Sequence, residues 1–143
     1  MGLEGRVERL KDFLRAHLSY DCDVGVDELL AYLRAETPYP DLPTEEILAD
    51  DLLVLHELVE INELKAMGLS VDDRIILDHL PEVLKAHVRA AELELEAAVA
   101  LGALDHLRGR LRCVEAWTQD PNMPPELRER CLALLERFRP LVA

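Results

Sequence analysis

Two predicted helices each place a histidine and a glutamate on a face that is otherwise apolar. At about 100° per residue, His56 and Glu60 are one turn apart on the first of these helices, and Glu63 lies on the same stripe. On the second helix, His87 and Glu94 are two turns apart within an apolar arc. Burying a carboxylate is costly unless it is paired or binds a metal. These residue types therefore indicate either a metal site or a buried ion network.

The first interpretation is a divalent metal held between the two helices. Imidazole nitrogens and carboxylate oxygens together are typical ligands of Zn, Mn, Fe and Ni. If the two helices face each other, we expect the ligands to be His56, Glu60, His87 and Glu94. The sequence contains no Gly-rich phosphate loop, and it assigns neither a catalytic residue nor an organic cofactor. Further candidate ligands are Glu63, His79 and His17.

The second interpretation belongs to a different class of protein. Buried histidine and glutamate side chains often satisfy one another through hydrogen bonds, with no metal present. The chain would then be a non-enzymatic helical module for protein–protein interaction or oligomerisation, and His56 would pair with Glu60. Measurement of bound metal distinguishes the two interpretations.

Two resemblances concern the same helices. The segment His56-Glu57-Leu58-Val59-Glu60 is similar to the HExxH motif of the zincin metallopeptidases, with Glu60 in place of the second histidine. The similarity implies that His56 binds zinc and that Glu57 is the general base of a peptidase. Separately, residues 55–68 and 83–87 resemble uncharacterised all-helical proteins of archaea, a resemblance that implies no particular activity.

The elements that position these side chains are predicted to be helices throughout. Apolar residues recur every three or four positions, which predicts an all-α fold, a single-domain bundle of about six or seven helices over residues 1–143. A Pro-rich linker at 37–43 joins an N-terminal helix pair (1–36), expected to dock, to the main bundle (44–143). The expected helices span about 3–18, 27–36, 44–67, 70–79 and 81–101, then one from residue 104 and one over 127–138.

Composition narrows the class of partner. The chain has 143 residues with 29 acidic and 16 basic side chains, a net charge of −13, which argues against a nucleic-acid partner. No apolar run reaches the length of about 18 residues that a membrane span requires. The N-terminal residues lack a signal-peptide pattern, so we expect a cytoplasmic protein.

Residue usage and apolar patterning support four further expectations. The many arginines, including Arg110, are expected on solvated ion-pair faces, whereas Trp117 is expected in the core. The near absence of Asn and Gln together with abundant ion-pairing side chains is typical of thermophile proteins. Apolar stripes on several helices favour a homo-oligomer such as a dimer.

Overall fold

The structure, a computed structural model, describes residues 2–38 and 42–143 and confirms the all-α prediction. Within those residues there are eight α-helices and one 3-10 turn, slightly more helices than expected, and no strand. None of these helices combines the length and the apolar character needed to cross a membrane. The α-helices are α1 Leu3–Leu18, α2 Val26–Leu33, α3 Thr44–Leu48, α4 Asp51–Ala66, α5 Ile75–Asp78, α6 Leu80–Leu101, α7 Leu104–Thr118 and α8 Pro125–Phe138, and the 3-10 turn is Arg139–Val142.

The predicted helix over 44–67 was wrong as a single element, because the structure divides it into α3 and α4. The chain leaves α3 at Ala49, and Asp50 then adopts an extended backbone with φ −123 and ψ 114. The Asp50 carboxylate accepts a 2.9 Å hydrogen bond from the Leu52 backbone N–H and so caps α4. The apolar spacing continues through this corner, so periodicity alone does not reveal it.

Two other expected helices are shorter in the structure. The second ends at Leu33, and the segment expected to be helical over 70–79 forms only the single turn of α5. The expected helix ends at about 67 and 101 agree with the structure, in which α4 ends at Ala66 and α6 at Leu101. Gly68 and Gly102 follow these ends with positive φ values, +86 and +69, that only glycine adopts readily. Residues 39–41 of the Pro-rich linker lie outside the described residues.

Helix α4 lies at the centre of the fold and is buried on almost every side. Its main neighbour is α6, which packs along it, and α1, α2 and α3 also contact it. Alanines on α6, among them Ala86, Ala90 and Ala97, are fully buried and allow close approach of the neighbouring helices. Helices α7 and α8 pack together and cover another side of α6. The pairing of α4 with α6 brings the two histidine-bearing helices face to face.

Candidate metal centre

Three potential ligand atoms converge between α4 and α6. The Nε2 atom of His56 lies 3.4 Å from Oε1 of Glu60 and 3.1 Å from Nδ1 of His87. The same Glu60 oxygen lies 2.8 Å from Nδ1 of His87. His56 and Glu60 are buried, and the His87 side chain is 29% exposed. Three of the four predicted ligands therefore lie close together, and we refer to their three atoms as the triangle. Of the three residues, His87 is the one that solvent can reach.

The dimensions of this triangle suit a transition-metal ion. Ligand atoms about 2.1 Å from a metal are about 3.0 Å apart at right angles and about 3.4 Å apart in a tetrahedral arrangement. The three observed separations fall close to this range. The circle through the three atoms has a radius of about 1.8 Å, which is less than the metal–ligand distance of about 2.1 Å. A metal ion at that distance from all three atoms would therefore lie just outside their plane. Two imidazoles and one carboxylate on one face form a recognised metal-binding set.

Protons alone cannot satisfy all three contacts of the triangle. An imidazole nitrogen carries either a proton or a lone pair, and an ionised carboxylate oxygen only accepts. If both His56 Nε2 and His87 Nδ1 carry protons, the 3.1 Å contact between them joins two donors. If only one of these nitrogens carries a proton, the lone pair of the other nitrogen faces the Glu60 oxygen, and the contact between them joins two acceptors. A cation in contact with all three lone pairs removes this conflict.

The fourth predicted ligand, Glu94, is placed on the other side of His56. Its Oε1 lies 2.8 Å from His56 Nδ1, the ring nitrogen that does not face Glu60 and His87. The carboxylate accepts there, so Nδ1 carries the proton and Nε2 is free to bind a metal. Glu60 has a comparable partner in Tyr32, whose hydroxyl donates to Oε2 at 2.5 Å. Both partners hold the side chains they contact in the orientation that the triangle requires.

Glu94 is fully buried and is held by two further side chains. Its Oε2 accepts a 2.6 Å hydrogen bond from Nε2 of His106 and forms an ion pair with Arg110, whose Nε lies 2.7 Å away. His106 also approaches Asp50, the cap of α4, with 3.6 Å between Nδ1 and Oδ2. Because donors surround it, the buried carboxylate of Glu94 does not carry the cost of an unpaired charge. The network links α4, α6 and α7 behind the triangle.

The protonation states follow from this network. Burial by itself raises the pKa of Glu94, but the hydrogen bonds from His106 and His56 outweigh it and hold that pKa well below its usual range. Burial likewise opposes ionisation of Glu60, yet the bonds from His56 and His87 also lower its pKa. Burial lowers the pKa of His56, whereas its bonds to Glu60 and Glu94 raise it to about 10. Without metal, His56 is therefore an imidazolium between two carboxylates.

A cleft of about 640 Å³ reaches the triangle and includes all three of its residues in its lining. Trp117 of α7 forms part of the wall, with its ring centroid 4.3 Å from that of His87. Cys113 and Arg110 of the same helix also line the cleft. This volume is typical of sites for small molecules. The triangle thus lies at the border of a space that a small molecule can enter.

The remaining predicted residues lie elsewhere. Glu63 accepts a 2.7 Å hydrogen bond from the Tyr20 hydroxyl and takes no part in the three-atom group. His17 is exposed on α1, where its ring packs against Phe13 at 4.6 Å. His79 stands between α5 and α6 and is outside the group as well. Glu57, the base that the HExxH similarity implies, lines the cleft.

Four residues around the centre were not predicted as part of it: Tyr32, His106, Arg110 and Trp117. Arg110 was expected on a solvated face, yet its side chain is only 17% exposed. A signal was present, because His106, Arg110, Cys113 and Trp117 follow one another at steps of four, three and four, which places them on one face of α7. Tyr32 lies 28 residues from Glu60 in the chain, and no local pattern joins them.

No protein-family model matches the chain, and neither a curated protein nor a solved structure is significantly similar to it.

Proposed function

We propose that the protein binds one divalent transition-metal ion through His56 Nε2, Glu60 Oε1 and His87 Nδ1. The observation that carries the proposal is the triangle itself. Its three atoms are 2.8–3.4 Å apart, and at most two of the three contacts can be hydrogen bonds. A cation satisfies all three at once.

The ligand set favours a site of the catalytic type. Structural zinc sites are usually closed by four protein ligands, whereas catalytic sites have three and leave a position open. Here three ligands lie beside a cleft, and two nitrogens with one oxygen suit Zn, Fe, Mn or Ni. When bound, the ion would supply Lewis-acid chemistry to a molecule in the cleft. Glu94 and Tyr32 would orient His56 and Glu60 from outside.

The test is a metal-binding measurement on protein purified without chelator. We expect about one equivalent of metal per chain by elemental analysis, a rise in Tm on adding Zn²⁺ to metal-free protein, and loss of stoichiometric binding in H87Q and in E60Q. E63Q and H79Q are matched controls, because they alter the same residue types on or beside the same helices outside the triangle. Both controls should bind zinc like the unaltered protein.

A protein with no stoichiometric metal, and with a Tm that ignores added Zn²⁺, Mn²⁺, Fe²⁺ and Ni²⁺, would overturn the proposal. The second interpretation, an interaction module with a hydrogen-bonded buried cluster, would then account for these residues. Under it, H56Q would lower the free energy of unfolding by removing the charged partner that His56 provides to Glu60 and to Glu94. Binding of zinc by H87Q and E60Q as tightly as by the unaltered protein would place the metal elsewhere.

A further inference from the structure

Arg110 presents unused hydrogen-bond donors beside the candidate metal centre. Its Nε atom pairs with Glu94 at 2.7 Å, and its side chain is only 17% exposed. Its two terminal amino groups have no hydrogen-bond partner within the described residues, although Arg110 lines the cleft. Partly desolvated guanidinium donors gain most from an acceptor that bonds to two of them at once. The geometry therefore indicates an anionic group that a ligand would supply.

The charges of the cleft restrict the kind of anion. Arg110 is the sole lysine or arginine among the described lining residues, whereas Glu57, Glu60 and Asp120 also line it. These carboxylates disfavour an anion with two charges more strongly than an anion with one. A planar carboxylate also matches the fork of the guanidinium. A monocarboxylate thus fits better than a phosphate monoester.

The other walls define the body of the ligand. They are largely aliphatic and aromatic, which favours an apolar chain or ring over a polyol or a sugar. Trp117 connects the two ends of the site, since its ring centroid lies 5.7 Å from Cζ of Arg110 and 4.3 Å from the ring of His87. A molecule held by Arg110 would therefore pass over Trp117 toward the triangle.

We propose that the cleft binds a small organic monocarboxylate with an apolar body, whose carboxylate pairs with the terminal amino groups of Arg110 while the body extends along Trp117 toward the metal. The position of the metal end rests on the proposed function. The carboxylate site itself does not, because Arg110 and Trp117 lie outside the triangle.

The experiment compares octanoate, 1-octanol and octyl phosphate as probes, using calorimetry on both zinc-loaded and metal-free protein. We expect octanoate to bind with a Kd at least tenfold lower than that of 1-octanol, and lower than that of octyl phosphate. R110M should abolish the preference for octanoate over 1-octanol, and R110K should reduce it, because lysine keeps the charge without the planar fork. R112M is the matched control, since Arg112 is exposed on the same helix, and it should preserve the preference.

Each outcome has a distinct meaning. Equal binding of octanoate and 1-octanol, or tighter binding of octyl phosphate, overturns the carboxylate assignment. So does a preference for octanoate that persists in R110M and is lost in H87Q, because the carboxylate would then bind at the triangle. If R110M does not fold, R110K against R112M decides the same question. If the protein binds no zinc but keeps the Arg110-dependent preference for octanoate, the carboxylate site is supported and the proposed metal site fails. If the protein binds zinc but shows no such preference, the metal site is supported and the carboxylate site fails.

Discussion

The carboxylate of Glu94 contacts His56 at Nδ1, 2.8 Å away, on the side of the ring opposite the contacts to Glu60 and His87. An ionised carboxylate only accepts, so it fixes the proton on Nδ1. Nε2 is then the nitrogen that can bind a metal. Histidine ligands in metalloproteins commonly have such a carboxylate behind them, and its removal typically weakens metal binding 10–100-fold.

Replacing Glu94 with glutamine should therefore weaken zinc binding by about 10–100-fold while the stoichiometry stays near one per chain. The amide has no charge to stabilise the proton on His56 Nδ1, but the three converging atoms are unchanged. Competition with a chelator of known affinity measures the change.

E92Q is the control for that substitution, because Glu92 lies two residues away on α6 and pairs with Arg89 instead of the cluster. It should leave the zinc affinity unaltered. Complete loss of the metal site in a folded E94Q protein would instead make Glu94 a direct ligand, as the sequence suggested.

Tyr32→Phe removes the donor to Glu60 Oε2. A hydrogen bond to a charged group contributes about 1.5–3 kcal/mol, so the free energy of unfolding in urea should fall by about that amount. Zinc affinity should also fall, because Glu60 is less firmly oriented.

Tyr20→Phe provides a chemically matched comparison. It removes the 2.7 Å hydrogen bond from Tyr20 to Glu63, outside the triangle. We expect it to lower stability while zinc affinity stays the same. If both phenylalanine variants bind zinc like the unaltered protein, Tyr32 does not orient Glu60 for metal binding.

The metal-free protein should show a pH dependence that the cluster sets. The folded-state pKa values of Glu60 and Glu94 are lowered. Their contribution to the free energy of unfolding is therefore present above about pH 4.3, the unfolded pKa, and is lost as the pH falls below that value. The pKa of His56 is raised to about 10, so its contribution is complete below about pH 6.5 and declines as the pH rises toward 10. The cluster therefore contributes most between about pH 4.5 and 6.5.

Urea unfolding in the presence of a chelator between pH 6.5 and 8.5 isolates the His56 effect. Cys22, whose pKa burial raises to about 12, adds its own loss only above about pH 8.5, its unfolded value. H56Q should flatten the decline within that interval. A free energy of unfolding that increases from pH 6.5 to 8.5, or a slope that H56Q leaves unaltered, would contradict a charged His56.

Asp50→Ala tests the corner between α3 and α4. It removes the cap of α4, a change that typically costs about 1 kcal/mol, and it also removes the carboxylate near His106. Thermal unfolding should show a lower Tm, with little change in zinc stoichiometry.

Asp51→Ala is the neighbouring control. It removes an exposed ion pair with Arg6, and the decrease in Tm should be smaller than for Asp50→Ala. An equal loss in the two variants would contradict the capping role.

The predicted elements and the observed ones differ for identifiable reasons. Spacing of apolar residues located α1, α4, α6, α7 and α8, and glycines located two helix ends, because both signals are local. The corner at Asp50 was missed because the apolar pattern runs through it. The shortening of the helix expected over 70–79 to Ile75–Asp78 was also missed, because local sequence signals do not determine how many turns the packing keeps.

The sequence by itself determined that His56 with Glu60, and His87 with Glu94, lie on inward faces of two helices, because helical periodicity fixes which side chains share a face. Only the tertiary structure decided how the helices meet: α4 against α6 brings His56, Glu60 and His87 together and leaves Glu94 behind His56. It also decided which residues from α2 and α7 complete the surroundings. Contacts between helices depend on packing over the whole chain, and no local spacing encodes them.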